Sequence, residues 1–420
     1  MADQDHSDAR SVPLFTTAVF LLLLWYSLAL AAGATEEIRM SKTIVFVTGT
    51  RADYGKLKPL IKVTEESDAF VPIIFATGMH TLERYGFTID EIRANGHKKV
   101  YMYTNQVIEE GMDLILGNTI AGFSRFVRDV KPDLIVIHGD RLEALAGASV
   151  GALAGIPVAH IEGGEVSGTV DESIRHAVSK LSHIHLVASS DAAQRLRQLG
   201  EETERIHIIG SPEIDVMLSP ELPSLDQACA RYEISFRDYG IGIFHPVTTE
   251  LETIAEQAEN YVQALLETDD NYILIYPNND IGSSVILNCM RRLSGNKRFR
   301  IFPSLRFEYF LTILRNARYI IGNSSAGVRE APVYGVPSID LGTRQRGRAT
   351  SASIRWAPLE KEAIAAAIRS VHESGPAIPS FSNGTGHSRE AFLDLLRQGV
   401  PWDLPMQKRF QPLLSEEAKS

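Results

Sequence analysis

Cysteine and positive charge are both scarce in this chain. Cys229 and Cys289 are its only cysteines among 420 residues, and they lie far apart and outside any metal-ligand spacing. This argues against a zinc site and a disulfide framework, and it favours the reduced cytosol as the compartment. The formal net charge is −10. Because nucleic-acid binders normally carry a basic surface, we expect no nucleic-acid partner, although a local basic site for one diphosphate remains compatible.

Long apolar runs are missing from most of the chain, and the exception lies near the N-terminus at 14–34. As a helix this run would be roughly 30 Å long and would cross a bilayer. Its N-terminal flank has three aspartates against Arg10 alone, whereas secretory signals open with positive charge. Two interpretations therefore stay open: a membrane anchor or signal, and an extension without function in the mature protein. In both, residues 1–40 lie outside the folded domains that follow.

From Lys42 onward, β-branched runs of strand length alternate with helical patterns that end at glycine or proline. This alternation is typical of βαβ units and of parallel sheets buried on both faces. It predicts strands at 43–47, 71–76, 134–138, 158–161, 184–188, 206–209, 241–244, 272–276, 299–302, 319–322 and 338–341. It predicts helices at 56–65, 112–130, 142–154, 173–181, 192–199, 251–267, 285–293, 308–316 and 327–333. The fold class is therefore α/β, with two doubly wound, Rossmann-like domains facing a cleft.

A shift in composition divides these elements into two series. Proline and polar residues interrupt the alternation at Ser211-Pro212 and again at 219–223, and we interpret this stretch as a hinge. The predicted domains are 41–212 and 213–385. An amphipathic stretch at 390–398 lies in the remaining tail, 386–420, and we expect it to pack back on the first domain.

Two strand-to-helix turns have the features of anion sites. The turn at 49–55 follows the first strand, where free backbone N–H groups and the helix dipole favour an anion and Arg51 adds a cation. It is not a GxGxxG motif, so no dinucleotide cofactor is indicated. In the second domain, Ser324 and Ser325 stand at a predicted helix N-terminus, where they either cap the helix or donate to a diphosphate. Glu330, about two turns further along, is placed to accept from both hydroxyls of a ribose.

Asp140, Glu162 and Asp171 are acidic residues at or just past strand ends of the first domain. Strand ends in this fold class reach the cleft. Ionised carboxylates repel one another at short range, so at least one of the three should have a raised pKa, as proton-transfer chemistry requires. Taken singly, each is also open to a role as a helix cap or ion-pair partner. His245 ends the first strand of the second domain, and we expect it to face the carboxylates and help a leaving group to depart.

The histidines do not predict a metal centre. Their positions show no known ligand spacing, so we expect structural roles for them and no bound metal. The histidines concerned are His138, His160, His176, His183 and His185.

Taken together, these motifs resemble the hydrolysing UDP-N-acetylglucosamine 2-epimerases of sialic-acid biosynthesis. The resemblance runs from about Lys42 to about Arg348. It is carried by blocks in the same order: Thr50-Arg51-Ala52-Asp53-Tyr54, His138-Gly139-Asp140-Arg141, His160-Ile161-Glu162-Gly163-Gly164-Glu165, Asp171-Glu172-Ser173-Ile174-Arg175-His176, His245-Pro246-Val247-Thr248, Asn323-Ser324-Ser325 and Gly342-Thr343-Arg344-Gln345.

The resemblance implies a glycosyltransferase-B-like architecture, no cofactor, a dimer or tetramer, and a reaction in two stages. A base removes the C2 proton of the sugar while UDP leaves C1, and water then adds to the glycal and releases N-acetylmannosamine. The implied acid–base set is Asp140, Glu162 and Asp171, with His245 beside the diphosphate; which carboxylate takes which proton stays open. The implied nucleotide contacts are Arg51, Gly55, Arg141, Asn278, Ser324, Ser325, Glu330 and Arg344.

Several alternatives remain. Non-hydrolysing epimerases of related fold return the nucleotide to the sugar, but they carry an alanine-glycine-leucine type sequence where this chain has Glu162-Gly163-Gly164-Glu165. Related enzymes act on 2,4-diacetamido trideoxy sugars or on GDP-linked sugars. A glycosyltransferase and a non-catalytic nucleotide-sugar binder are further alternatives, and neither should exchange the C2 proton with solvent.

Feedback regulation is a separate question. The animal enzyme's feedback site for activated sialic acid uses two arginines. This chain has Asn288 and Arg291 in their place, so one of the pair is missing and we predict no such feedback.

Overall fold

The computed structural model describes residues 41–167, 170–348, 351–375, 377–381 and 384–411. The N-terminal extension and its apolar run at 14–34 lie outside these ranges, and what was expected of them stays a prediction. Within the described ranges, none of the helices has the length and apolar character needed to cross a membrane.

Two parallel β-sheets organise the described chain from Lys42 onward, which belongs to one compact unit. The strands of the first sheet are β1 (Lys42–Thr48), β2 (Phe70–Ala76), β3 (Val100–Met102), β4 (Leu134–His138), β5 (Val158–Ile161), β6 (Ile184–Val187) and β7 (Ile206–Ile208). In the described residues they lie in the order β3-β2-β1-β4-β5-β6-β7. The order reverses between β1 and β4, and open α/β sheets bind ligands outside the carboxyl ends of their strands at such a point.

Helices cover both faces of this sheet. They are α1 (Arg51–Glu65), α2 (Ile89–Ala94), α3 (Met112–Val130), α4 (Leu142–Ala154), α5 (Val170–Leu181) and α6 (Ser190–Gln198). Successive side chains of a strand point to opposite faces. Accordingly, Ile44 and Phe46 of β1 pack in a core with α1, whereas Val45 and Val47 pack with α3 and α4. This burial on both faces explains why the strands are almost continuously apolar.

The second sheet repeats this plan. Its strands are β8 (Gly240–Ile243), β9 (Tyr272–Ile275), β10 (Phe299–Phe302), β11 (Tyr319–Gly322), β12 (Ser338–Leu341) and β13 (Ile354–Ala357), in the order β10-β9-β8-β11-β12-β13 among the described residues. After the connecting helix α7 (Pro212–Met217), its helices are α8 (Leu225–Tyr232), α9 (Ile254–Leu266), α10 (Ser283–Arg291), α11 (Phe307–Arg315), α12 (Glu330–Val333) and α13 (Lys361–Ser374). The chain continues into α14 (Ser388–Arg397) and α15 (Val400–Asp403). We call β1–β7 with α1–α6 the first half, and β8–β13 with α8–α13 the second half.

The fold class agrees with the sequence prediction, but several elements differ from it. The edge strands β3 and β13 were not predicted, because each is short and leaves apolar side chains such as Tyr101 and Trp356 exposed. The stretch interpreted as a hinge contains helix α7, which Pro212 begins without losing a hydrogen bond because its first-turn position needs no N–H donor. The helix predicted at 327–333 is instead a 3-10 turn, Ser325–Gly327, followed by the short helix α12.

The C-terminal helix α14 lies against the first half. Phe392 and Leu396 are buried in the same core cluster as Phe46, and the Phe46 and Phe392 ring centroids are 6.2 Å apart. Asp215 of α7 accepts hydrogen bonds from the backbone N–H groups of Ser388 and Arg389 at 3.1 and 2.9 Å. The tail therefore returns to the first half at the place where the chain crosses into the second. The residue limits given above for the domains stay a prediction.

Candidate active site

A cavity of about 300 Å³ lies where the carboxyl ends of both sheets meet. Its walls come from residues that follow β1 to β5 in the first half and β8 to β12 in the second half. A volume of this size suits a small-molecule ligand, and its place at the switch points of two α/β sheets is where such folds bind one.

The turn after β1 forms one wall of the cavity, but it differs from the prediction in where the helix begins. Thr50 caps α1 in a reciprocal arrangement, since its hydroxyl accepts from the Asp53 N–H at 3.2 Å and Asp53 accepts from the Thr50 N–H at 2.9 Å. The helix therefore starts at Arg51 and not at Lys56. Arg51 does line the cavity, where it contacts Ser304 of the second half at 2.6 Å.

Gly55, predicted as a nucleotide contact, is not among the residues that line the cavity. It lies inside α1, and a Cβ added to it would stand 2.5 Å from the Phe307 side chain. The cavity wall at this level is formed by Lys56 and Phe307 instead. Gly55 thus allows the two halves to pack closely, because a side chain at this position would collide with Phe307 of α11.

Asp140 follows β4 and borders the cavity, as predicted. Its carboxylate contacts the Arg175 guanidinium of α5 and accepts a 2.7 Å hydrogen bond from the Ser167 hydroxyl. Burial raises the pKa of Asp140, but the positive charges of Arg175 and Arg348 and the hydrogen bond from Ser167 together hold this pKa well below its usual range. Asp140 is therefore an ionised carboxylate at neutral pH.

Glu162 directly follows β5 and has a φ of +64°, a conformation that a non-glycine residue rarely adopts. This backbone turn carries its carboxylate into the cavity wall, where it accepts from Arg329 Nη2 at 2.6 Å and lies 3.2 Å from His138 Nε2. Burial raises its pKa, but Arg329, His138 and Lys56 together lower it well below its usual range. His138, for which we expected a structural role, therefore contacts a cavity carboxylate and lines the cavity itself.

Asp171 differs from the other two carboxylates in its electrostatic environment. It lies in the first turn of α5, and Arg344 Nη2 approaches its carboxylate to 3.4 Å. Burial raises the pKa of Asp171, the negative charge of Asp140 raises it further, and Arg344 opposes these effects without cancelling them. One of the three carboxyl groups thus has a raised pKa, the direction that the sequence predicted from their mutual repulsion.

His245 lies on the opposite wall, after β8. Gly322 has a φ of +138°, and a Cβ there would stand 1.9 Å from the Ile243 carbonyl oxygen, so only glycine allows β11 to pass this close. The next residue, Asn323, accepts from the His245 N–H at 2.7 Å and donates to the His245 carbonyl at 2.9 Å. The Asn278 N–H donates to His245 Nδ1 at 3.0 Å, and burial lowers the pKa of His245 well below its usual value. The neutral ring therefore carries its proton on Nε2.

Ser324, Ser325 and Glu330 lie together in the second half and line the cavity, as predicted. The Ser324 hydroxyl caps the 3-10 turn by accepting from the Ala326 N–H at 3.3 Å. Glu330 is buried, and its Oε2 makes no hydrogen bond with any described residue. Since buried carboxylate oxygens are normally paired, this atom is free to accept from a ligand hydroxyl.

The remaining predicted nucleotide contacts also reach the cavity. Arg141 lies 3.4 Å from Glu143 of the first turn of α4. The side-chain oxygen of Asn278 is buried and makes no hydrogen bond within the described chain. Arg344 connects the two walls, because it donates to the Asn323 carbonyl at 3.2 Å and also contacts Asp171.

An ionic network in the cavity wall was not predicted. Lys56 Nζ lies 2.5 Å from Glu213 Oε2 and 3.5 Å from Glu330 Oε1, and Arg329 Nη2 donates to Glu213 Oε1 at 2.9 Å. Glu162 joins it through Arg329, and every member is buried. The network connects α1, α7 and the second half. Sequence reasoning missed it because its members lie up to 274 positions apart (Lys56 to Glu330) and none stands in a recognisable spacing.

The other histidines have protein partners. His160 contacts the Gly139 carbonyl at 2.8 Å and the Ser179 hydroxyl at 3.2 Å, and His185 lies 2.8 Å from Glu201. His183 accepts from the Val158 N–H at 3.2 Å, and His176 lies 3.2 Å from Glu172. Among the residues that the structure describes, no group of three or more histidine, cysteine or acidic side chains is arranged to hold a metal ion.

A comparison with models of known protein families shows to which family the chain belongs. The model of the family described as UDP-N-acetylglucosamine 2-epimerase matches residues 62–397, which is most of the chain. The chain belongs to this family. A UDP-N-acetylglucosamine 2-epimerase of Neisseria meningitidis is 48% identical over 372 residues, which cover 88% of this chain and 98% of that relative. A hydrolysing UDP-N,N'-diacetylbacillosamine 2-epimerase of Legionella pneumophila is 33% identical and covers 85% of this chain and 96% of its own.

Solved structures support the architecture. The UDP-N-acetylglucosamine 2-epimerase of Methanocaldococcus jannaschii, in complex with UDP-N-acetylglucosamine and UDP, superposes with a TM-score of 0.73. The match covers 85% of this chain and all of that one, at 22% sequence identity. At this identity the likeness shows the fold alone, and it agrees with the glycosyltransferase-B-like arrangement expected for the family.

Proposed function

We propose that this chain is a hydrolysing 2-epimerase that converts UDP-N-acetylglucosamine and water into N-acetylmannosamine and UDP. One observation carries the proposal: Asp171, with a raised pKa, borders the same cavity as Asp140 and Glu162, which are held ionised. Carboxyl groups whose pKa values are pushed apart in one site are the usual basis of acid–base chemistry. Membership of the 2-epimerase family supplies the substrate class.

Asp171 is the group that we propose as the base of the first stage. A C2–H beside an acetamido group is only feebly acidic, so an effective base must have a pKa closer to neutrality than an ordinary aspartate. Asp140 and Glu162 are weak bases because cations hold them ionised. In the elimination, Asp171 takes the C2 proton, the C2–H electron pair forms the C1=C2 double bond, and UDP leaves with the electron pair of the C1–O bond.

The opposite wall is suited to the leaving nucleotide. The Nε2–H of His245, the hydroxyls of Ser324 and Ser325 and the guanidinium of Arg344 are donors at the cavity, and such donors stabilise the charge that grows on a departing diphosphate. Each interaction of this kind typically contributes a factor of about 10² to 10³ in rate. Glu330 Oε2 is the acceptor that we assign to the ribose hydroxyls.

In the second stage, water adds across the double bond. A proton goes to C2 on the face opposite to the one it left, and hydroxide goes to C1, so that the products are N-acetylmannosamine and UDP. The ionised carboxylates of Asp140 and Glu162 stabilise positive charge at C1 during both stages.

The hydrolytic outcome is supported by the segment after β5 and by one relative. Gly164 has a φ of +74°, and a Cβ there would lie 2.2 Å from the Ala192 carbonyl oxygen, so glycine is required at this position; the next residue, Glu165, lies 3.6 Å from Arg329. The Legionella relative, whose name states a hydrolysing reaction, aligns over 96% of its length.

The proposal is tested by incubating the full chain with UDP-N-acetylglucosamine in D₂O and following the products by ¹H NMR. We expect free UDP and N-acetylmannosamine that carries deuterium at C2. UDP-N-acetylmannosamine as the product would assign the chain to the non-hydrolysing branch. The UDP-linked diacetamido sugar is tested in parallel, and turnover of that sugar alone would assign a different substrate to the enzyme. A product that retains its C2 hydrogen would favour a transferase.

A further inference from the structure

Gln106 carries a buried donor at the cavity that has no hydrogen-bond partner among the described residues. Gln106 follows β3, lines the cavity and is only 4% exposed, and its Nε2 makes no hydrogen bond with any described residue. A buried amide nitrogen left unpaired is costly, so native proteins rarely keep one without a reason. The donor is therefore available to a ligand in the cavity.

The orientation of this amide is fixed by Asn279 of the second half. Asn279 Oδ1 accepts from the Tyr85 hydroxyl and from the Glu109 N–H, both at 3.2 Å, which determines which end of the Asn279 amide carries its NH₂ group. That NH₂ group donates to the Val107 carbonyl at 3.0 Å and to Gln106 Oε1 at 3.1 Å. Because Gln106 Oε1 is occupied by a donor, the amide cannot flip, and its NH₂ group is the free end.

The backbone that carries Gln106 is equally constrained. The preceding Asn105 accepts from the Gly78 N–H at 2.9 Å, donates to the Thr119 hydroxyl at 2.7 Å, and its carbonyl accepts from Asn118 at 3.2 Å. These contacts attach the segment to α3 and to the turn after β2. A donor held this rigidly loses little entropy when it binds, so it is suited to discriminate between ligands.

The charge of the surrounding segment indicates which part of a nucleotide sugar it meets. Residues 105–115 contain three acidic side chains and no lysine, arginine or histidine. A negative segment disfavours the diphosphate, whereas a neutral amide donor pairs well with a neutral hydroxyl oxygen. The apolar side chains of Met112 and Ile115 line the cavity beside it and suit the ring face of a sugar.

We propose that Gln106 is a specificity-determining residue that donates a hydrogen bond to a hydroxyl oxygen at the C4–C6 end of the sugar. This inference rests on the proposed function, because it takes the nucleotide sugar as the ligand. A sugar without that hydroxyl leaves the donor buried and unpaired. Sites built around such a donor reject analogues that lack its partner. The residue thereby selects a hydroxylated N-acetylhexosamine over a deoxygenated one.

The test compares the unsubstituted enzyme with Gln106→Met, which keeps the length of the side chain and removes the amide. Values of kcat/KM are measured with UDP-N-acetylglucosamine and with its 4-deoxy and 6-deoxy analogues, and UDP is measured as an inhibitor. We expect roughly a 10- to 100-fold lower kcat/KM for UDP-N-acetylglucosamine, loss of the preference over one deoxy analogue, and an unchanged inhibition constant for UDP.

Two controls accompany this variant. Gln263→Met alters a glutamine of α9 that pairs with Glu259 outside the cavity, and it should change none of these values. Gln106→Asn shortens the side chain but keeps a polar amide. If Gln106→Met does not fold, Gln106→Asn replaces it in the test, and it should show the same loss of kcat/KM and of the preference among the sugars. A parallel rise in the UDP inhibition constant, or an unchanged preference among the sugars, would overturn the proposal.

The failure of the proposed function remains distinguishable from the failure of this inference. If the product is UDP-N-acetylmannosamine, the hydrolytic proposal fails, but the dependence of total turnover on Gln106 and on the sugar hydroxyls is still measured. If the product is free N-acetylmannosamine and the preference is unaffected by Gln106→Met, only the inference about Gln106 fails.

Discussion

The carboxylate of Glu109 in the first half caps helix α10 of the second half, where it accepts from the Ser284 backbone N–H at 2.8 Å and from the Ser284 hydroxyl at 2.7 Å. Glu109 adopts a φ of +55° to reach this position. A negative charge at a helix N-terminus is favourable, and here it connects two parts of the chain that border the same cavity. Contacts of this kind hold the halves close together around a ligand.

Loss of this contact should weaken ligand capture. We expect Glu109→Ala to raise KM several-fold with a smaller effect on kcat, because the closed arrangement becomes less favourable while the reacting groups remain. Steady-state kinetics measures both values. Asp129→Ala, which removes an exposed acid of α3, is the control and should leave KM unchanged. An unchanged KM in the Glu109 variant would mean that the contact plays no part in binding.

The same contact should depend on pH. Burial raises the pKa of Glu109, but hydrogen bonds from Ser284 and Ser283 outweigh it, and the net pKa is lowered. A carboxylate with a lowered pKa stabilises the folded, closed state above the usual glutamate pKa, and this contribution is lost as the pH falls. The difference in KM between the unsubstituted enzyme and Glu109→Ala should therefore shrink at acidic pH, and a difference that grows would contradict this account.

The catalytic pH profile should report on Asp171 and Arg344. If Asp171 is the base, it must be ionised, so kcat/KM falls as the pH drops below its raised pKa. Arg344 lowers the pKa of Asp171, and Arg344→Met should therefore move this acidic limb to higher pH. Asp171→Asn should lower kcat by about 10² or more and abolish the limb. If the acidic limb of the pH profile stays at the same pH in Arg344→Met, Asp171 is excluded as the titrating group.

The buried ionic network should couple the stability of both halves. Lys56→Met leaves Glu213 without its 2.5 Å partner, and such a loss typically costs about 3 kcal/mol of unfolding free energy. The double variant Lys56→Met/Glu213→Gln removes both charges and should recover part of that loss. Denaturant unfolding of Lys56→Met, of Glu213→Gln and of the double variant measures the interaction free energy between the two charges. Losses that simply add would show that the two charges do not interact.

The acid stability of the first half should depend on Glu201. Burial raises its pKa, but the hydrogen bond with His185 and those with Lys180 and Lys408 lower it to about 2. Its contribution is therefore complete above the usual glutamate pKa of about 4.3 and is lost as the pH falls from there toward 2. Glu201→Gln should flatten the decline of unfolding free energy in this window, whereas Glu204→Gln, an exposed neighbour, should leave it unaltered.

Sequence patterns predicted the regular parts of this fold well, for a physical reason. Helix Met112–Val130 and strand Leu134–His138 have the predicted bounds because a long apolar periodicity and a fully buried run leave few alternatives. The strand Val100–Met102 was not predicted because an edge strand of three residues is half exposed and carries no such pattern. Helix α1 begins five residues early because the Thr50 and Asp53 cap was not recognised.

Site residues that directly follow strand ends could be predicted from the sequence. Contacts between residues of the two halves could not. Asp140, Glu162 and His245 could be placed because parallel strands bring their carboxyl ends to one edge. The pairing of Glu162 with Arg329, 167 positions away, depends on how the two halves meet and leaves no local signal. The close approach of Gly55 to Phe307 of the second half likewise leaves no local signal in the sequence.

We propose that the C1–O bond breaks by elimination and that the sugar is released free. UDP-N-acetylglucosamine labelled with ¹⁸O between C1 and the β-phosphorus, incubated with the full chain in D₂O, tests it directly by ³¹P and ¹H NMR. We expect UDP that retains the ¹⁸O and free N-acetylmannosamine with deuterium at C2. Label found in the sugar, hydrogen retained at C2, or intact UDP-N-acetylmannosamine as the product would contradict it.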